Sequence, residues 1–189
     1  MREQVLFLSK FLRRPVRTGA VAPSCADLGR LITDHIGLEE ARLAVELGPG
    51  TGALTQAITH RAAPEARLLA VEIDPVFAQI VQGRFPRVTV VNGPAQQLPD
   101  YVAGVPVDCI VSGLPWAGFS DELQTSILDA VLAVLKPGGW FTTFAYVHAA
   151  WLPPGRRFRR RLQHGFAKVE RTRVIWRNVP PAFVYRCQK

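Results

Sequence analysis

Between residues 40 and 147, short apolar runs alternate with segments whose apolar residues recur at helical spacing. Residues 43–47, 68–73, 88–91, 107–111 and 140–146 read as strands, and the sets Leu54/Ile58, Phe77/Ile80/Val81 and Leu123/Ile127/Val131 read as helix faces. The strands are nearly all apolar rather than alternating, the pattern of a parallel sheet covered by helices on both faces. Two further extended segments, 166–177 and 182–187, are rich in β-branched and aromatic residues and are joined by Asn178-Val179-Pro180-Pro181. They predict a terminal hairpin that closes a seven-stranded, mostly parallel sheet with an antiparallel strand. Two helices precede the sheet. Ser24-Cys25-Ala26-Asp27 is a capping-box start, followed by Leu28, Leu31 and Ile32 on one face and by Gly37 as a stop. Residues 2–13 form an amphipathic segment, with Val5, Leu8, Phe11 and Leu12 in one stripe and Arg2, Lys10 and Arg13 opposite.

A chain of 189 residues is expected to form one catalytic domain, 1–37 supplying the amphipathic helix and a lid and 38–189 the α/β core. Its three widely spaced cysteines form no CxxC pair, which argues against a disulfide framework or a cysteine metal site and fits a reducing compartment. The N-terminus lacks the apolar core and small-residue cleavage site of a signal peptide, and no run reaches membrane-spanning length. The net charge of +8 changes this bland picture because it is clustered. Arg2, Lys10, Arg13, Arg14 and Arg17 gather near the start, and Arg156, Arg157, Arg159, Arg160 and Arg161 near residue 160. Two such clusters suit an anionic partner, a membrane surface or nucleic acid, as well as a solvated face.

Candidate chemistry lies at strand ends. Glu46-Leu47-Gly48-Pro49-Gly50-Thr51-Gly52 falls between a strand and a helix, where glycines permit a tight turn and close approach to a ligand. Glu72, at the end of the second strand, is placed to accept hydrogen bonds from ribose hydroxyls. Ala53 stands where a dinucleotide loop has its third glycine, a permitted variant, so a dinucleotide remains open on spacing alone. Glu46 favours S-adenosylmethionine, because an acid just before the loop can bind a methionine ammonium. Ser112-Gly113-Leu114-Pro115-Trp116 leaves the fourth strand at the same rim. A turn of this kind aims carbonyls at an amine and sets a ring beside it, where cation–π attraction can hold the nitrogen as it becomes positive. Tyr146 and His148 are expected at the same rim.

With these motifs in place, the chain resembles the bacterial phospholipid N-methyltransferases that methylate phosphatidylethanolamine, members of the class I methyltransferases. The resemblance rests on residues 11–24, including Arg17-Thr18-Gly19-Ala20, on the glycine loop, on Ser112-Gly113-Leu114-Pro115-Trp116 and on Phe144-Ala145-Tyr146. It implies a Rossmann-like fold with S-adenosylmethionine as cofactor and S-adenosylhomocysteine as product. Implied cofactor contacts are Thr18, Gly19, Glu46, Gly48, Gly50, Gly52, Glu72, Ile73, Ala95, Gln96 and Ser112. Catalytic contacts would come from Ser112, Gly113, Leu114, Trp116, Tyr146 and His148, and headgroup contacts from Arg14, Arg17, Trp116, Tyr146, Arg156 and Arg157. No metal is expected. The implied reaction is successive N-methylation towards phosphatidylcholine by a monomer at the inner, cytoplasmic face of the membrane. The alternatives are N-methylation of RNA adenine or a small amine, and a membrane-binding module that does not turn over. The related ribosomal RNA adenine dimethyltransferases carry asparagine where this chain has Gly113, and they continue into an RNA-binding domain expected to be absent here, so nucleic acid is not the expected partner.

Overall fold

The computed structural model describes residues 23–189. The predicted helix over 2–13, and Arg14, Arg17, Thr18 and Gly19, lie outside the described residues. Helix α1 (Pro23–Thr33) leads through a 3-10 turn to β1 (Leu43–Leu47), and α2 (Ala53–Arg61), β2 (Arg67–Glu72), α3 (Pro75–Arg84) and β3 (Val88–Asn92) follow. The chain continues through α4 (Leu98–Val102), β4 (Val107–Ser112), α5 (Asp121–Val134) and β5 (Leu135–Tyr146). It ends with α6 (Val147–Ala150), α7 (Pro153–Gly165), β6 (Lys168–Arg171) and β7 (Ala182–Gln188). The seven strands form one sheet in the order β3-β2-β1-β4-β5-β7-β6. Strands β1 to β5 pair in parallel, and β7 runs antiparallel to both β5 and β6. Strand order reverses between β1 and β4, the position at which open α/β sheets bind ligands at the carboxyl ends of their strands.

The apolar runs divide residue by residue between two cores, because successive side chains of a strand point to opposite faces. Leu43, Val45, Leu47, Leu69, Val71, Ile110, Phe141, Phe183 and Tyr185 face one side, where α4, α5 and α7 cover them with Leu98, Val102, Ile127, Val131, Phe158 and Leu162. Ala44, Leu68, Ala70, Cys109, Val111 and Val184 face the other, under Leu28 and Ile32 of α1 and Ile58 of α2. Both faces are therefore dry, and the buried carboxylates of the strands, Glu46 and Glu72, lie at the carboxyl ends where the sheet opens.

Four local expectations change. Helix α1 is described from Pro23 onward, so Ser24 lies within the helix rather than before it. Helix α3 buries Ala78 and Val81, and Ile80 stays 38% exposed. The extended segment 166–177 is a strand only over Lys168–Arg171. At Thr172 the side-chain oxygen accepts the Val184 N–H (2.9 Å), and beyond it Ile175 makes an isolated bridge to Ala182, before a turn with a cis Val179–Pro180 bond. Helix α7 was not anticipated, because its Pro, Gly and Arg content hides the buried positions Gly155, Phe158 and Leu162.

Candidate active site

The glycine loop leaves β1 with Gly48, Gly50 and Gly52 all at positive φ (72°, 54° and 88°), a region that side chains rarely adopt. Space gives a second reason: a Cβ on Gly48 would lie 2.7 Å from the Leu114 side chain, and one on Gly52 2.5 Å from the Phe85 ring. Glu72 pins the loop from the neighbouring strand. Its Oε2 accepts the Gly50 N–H (3.0 Å) and its Oε1 the Asp74 N–H (2.9 Å). Burial raises the Glu72 carboxyl above its ordinary range, and those N–H bonds oppose the rise. The Ile73 N–H also opposes it, and of the carboxylate's four lone-pair sites one stays open for a hydroxyl. Ile73 is exposed beside it, and Ala95 and Gln96 occupy a 3-10 turn just beyond β3, Ala95 half-buried and Gln96 exposed.

Glu46 is 3% exposed. Its Oε2 accepts the hydroxyl of Thr55 on α2 at 2.6 Å, and its Oε1 has no partner among the described residues. Burial pushes its carboxyl to about 8; the Thr55 hydrogen bond opposes the rise, and Glu72 adds to it. An orphaned buried oxygen is costly, and a cation arriving at Oε1 would remove that cost. Thr55 escapes sequence reasoning, since nothing local separates it from any other threonine in a first helical turn.

The predicted acceptor turn lies directly against this loop. Gly113 donates its N–H to the Leu47 carbonyl (2.8 Å), and a Cβ on Gly113 would fall 2.6 Å from the Gly48 carbonyl oxygen. The turn is held by Ser112, whose buried Oγ accepts from the Leu114 N–H (3.3 Å) and the Trp116 Nε1–H (3.1 Å). One lone pair on the Ser112 carbonyl takes the Thr143 hydroxyl (3.2 Å), and one on the Leu114 carbonyl takes the Trp116 N–H (3.0 Å). Trp116 is a buried wall rather than a free-standing ring. It is 3% exposed, stacked on Phe158 at 4.6 Å and edge-on to Phe119 and Phe141. Gln124 of α5, fully buried and not anticipated, donates to the Trp116 carbonyl (2.7 Å) and accepts from Arg161 Nη1 (2.8 Å). It clamps the far end of the turn.

Beside the turn lies a cavity of about 210 Å³ walled by apolar groups, among them Leu114, Trp116, Phe144, Tyr146, Phe158 and Tyr185. Tyr146 ends β5, stacked on His148 at 5.9 Å. His148 is exposed and belongs to α6, not to the strand end where it was expected. Both line the cavity. Of the arginines predicted for a headgroup, the two among the described residues part company. Arg157 turns to α5, its Nε 3.0 Å from Asp121 Oδ1, and Arg161 joins the same carboxylate at 3.2 Å. Together they hold the Asp121 carboxyl below its ordinary range. Arg156 instead faces a groove beyond the apolar cavity. Among the described residues no group of His, Cys, Asp and Glu could hold a metal ion, and no helix is long and apolar enough to cross a membrane.

Comparison with known proteins matches residues 44–139 to the family described as methyltransferase domain. Across its full length the chain is 34% identical to an ornithine lipid N-methyltransferase from Singulisphaera acidiphila, covering 97% of that protein. A shorter stretch, 31% of the chain and 19% of the relative, is 42% identical to ribosomal RNA small subunit methyltransferase A from Acidobacterium capsulatum. Among solved structures, the fold matches the N-methyltransferase NodS of Bradyrhizobium japonicum in complex with S-adenosylhomocysteine, with TM-score 0.69, 16% identity and 97% of each chain covered. The glycine loop at the β1/β4 switch point, the acids that serve it and the matched sequence place this chain in the class I S-adenosylmethionine-dependent methyltransferase family.

Proposed function

We propose that this protein transfers methyl groups from S-adenosylmethionine to the primary amine of a membrane-lipid headgroup. The full-length similarity to a lipid N-methyltransferase carries the reading. The apolar cavity that opens at the acceptor turn supports it. The chain's residues fit the cofactor: the orphaned Glu46 Oε1 suits its ammonium, the remaining acceptor site of Glu72 suits a ribose hydroxyl, and Ile73, Ala95 and Gln96 border the adenine side. When bound, S-adenosylmethionine supplies an electrophilic methyl group. The protein's part is alignment, and no covalent enzyme intermediate is needed. An amine leaving water for the apolar cavity loses affinity for its proton, which frees the lone pair. The second lone pair of the Leu114 carbonyl can orient an N–H bond of the amine, while Trp116 and Tyr146 line the cavity that would receive the developing cation.

Two headgroups fit. Phosphatidylethanolamine is the one implied by the sequence resemblance, and ornithine lipid is the substrate named for the full-length relative. A soluble-type enzyme acting on either must reach a bilayer surface, a role we assign to the basic amphipathic segment 2–13 at the inner face of the cytoplasmic membrane, as a peripheral monomer. Adenine methylation is disfavoured by Gly113: an asparagine side chain there would start 2.6 Å from the Gly48 carbonyl. Labelled cofactor with vesicles containing each lipid assigns the headgroup. Labelled RNA with unlabelled lipid would transfer the assignment to nucleic acid, and vesicle binding with no labelled product would make the chain a non-catalytic membrane module.

A further inference from the structure

Helix α7 has three faces. Gly155, Phe158 and Leu162 point into the core, and Arg157 and Arg161 point to Asp121 of α5. The third face carries Arg156, Arg159 and Arg160 at one-turn spacing, all exposed. Together with Arg171 of β6 they line a groove of about 280 Å³, and no acidic residue lines it. Among the described residues the guanidinium groups of Arg156, Arg159 and Arg160 have no ion-pair or hydrogen-bond partner, and Arg171 is held over the Phe183 ring at 4.6 Å. On the neighbouring helix, Asp121 is already shared by Arg157 and Arg161. Four positive charges around one concavity repel one another, and an anion placed among them reverses that repulsion. Guanidinium groups match oxyanions geometrically, through paired N–H donors. The groove adjoins the apolar cavity at the acceptor turn, with Ala150 and Tyr185 in the lining of both.

We infer that this groove is the subsite for the anionic group of the substrate lipid, the phosphate or carboxylate carried a few bonds from the reactive amine. The inference rests on the amine-lipid reading and adds a recognition element to it. The apolar cavity takes the amine and the arginine groove takes the anion, so a bare alkylamine lacks half of the recognition.

The test is calorimetry on the full-length chain with monomeric dihexanoyl phosphatidylethanolamine, with dihexanoylglycerol and with inorganic phosphate. The variants are R159Q/R160Q and, as a control of equal charge change at the amino ends of β1 and β2, R42Q/R67Q. Glutamine keeps helix propensity close to that of arginine, and S-adenosylhomocysteine binding by each variant reports that the core is intact. The inference predicts at least tenfold weaker binding of the phospholipid to the groove variant, less than a twofold change in the control, and dihexanoylglycerol binding that does not distinguish the three proteins. Phospholipid binding by R159Q/R160Q within twofold of wild type overturns it. So does inorganic phosphate binding as tightly as the lipid, which would make this a site for free phosphate. Labelled-methyl transfer on the same samples separates the two readings. Phospholipid binding that depends on the groove without transfer defeats only the catalytic assignment, and transfer with groove-independent binding defeats only the subsite.

Discussion

Replacing Glu46 by glutamine should stabilise the cofactor-free protein at alkaline pH while weakening cofactor binding. In the folded chain burial lifts the Glu46 carboxyl from 4.5 to about 8. A raised acid stabilises the fold while it stays protonated, so its contribution is complete below pH 4.5 and is lost as pH rises through about 8. At ~1.4 kcal/mol per pH unit, ionising it in the folded state costs about 5 kcal/mol in full, of which about 2 kcal/mol accrues between pH 6 and pH 8. Glutamine keeps an acceptor for the Thr55 hydroxyl and carries no charge, so it escapes this cost. Denaturant unfolding of both proteins without cofactor at pH 6, 7 and 8 should show wild type falling behind Glu46→Gln by about 2 kcal/mol across that range. With saturating S-adenosylhomocysteine the ammonium meets the ionised carboxylate. Stabilisation by ligand should then be larger at pH 8 than at pH 6 for wild type and nearly independent of pH for the variant. A wild-type-minus-variant difference that stays flat from pH 6 to pH 8 without ligand would refute the orphaned-carboxylate account.

Three further outcomes follow from the site geometry. Gly113→Ala places a methyl against the Gly48 carbonyl and should lower S-adenosylhomocysteine affinity at least tenfold by calorimetry, since the glycine loop must shift. Gln124→Leu removes the clamp on the Trp116 carbonyl and leaves Arg161 without its Gln124 acceptor; unfolding should show a loss of about 1–3 kcal/mol, with kcat falling more than cofactor affinity. Deleting residues 1–13 should abolish methylation of lipid in vesicles while leaving S-adenosylhomocysteine binding in place, read by flotation and calorimetry side by side.

Strands were the most legible part of the chain, because burial on both faces writes itself as apolar runs such as residues 68–71. The glycine loop, Glu46 and Glu72 were legible for a related reason: glycines and acids stand out at the ends of apolar runs. Partners brought together by tertiary packing were not. Thr55 and Gln124 carry no local mark, and their meaning comes from Glu46 and from the Trp116 carbonyl. Helix α7 was hidden because its apolar stripe is only Phe158 and Leu162 among arginines, and without its register Arg156 and Arg157 looked equivalent. The structure shows them on different faces, one at the groove and one on Asp121. Gly113 was read as a lost asparagine, whereas the close approach of the Gly48 carbonyl explains why a glycine stands there.

The most direct test of the central claim is methyl transfer itself. The purified chain is incubated with methyl-labelled S-adenosylmethionine and vesicles containing phosphatidylethanolamine, ornithine lipid or neither, and the extracted lipids are resolved. The account predicts label on the headgroup nitrogen of at least one of the two amino-lipids, saturable in lipid and lost in Gly113→Ala. Label in RNA, or no labelled lipid from a protein that binds S-adenosylhomocysteine normally, would contradict it.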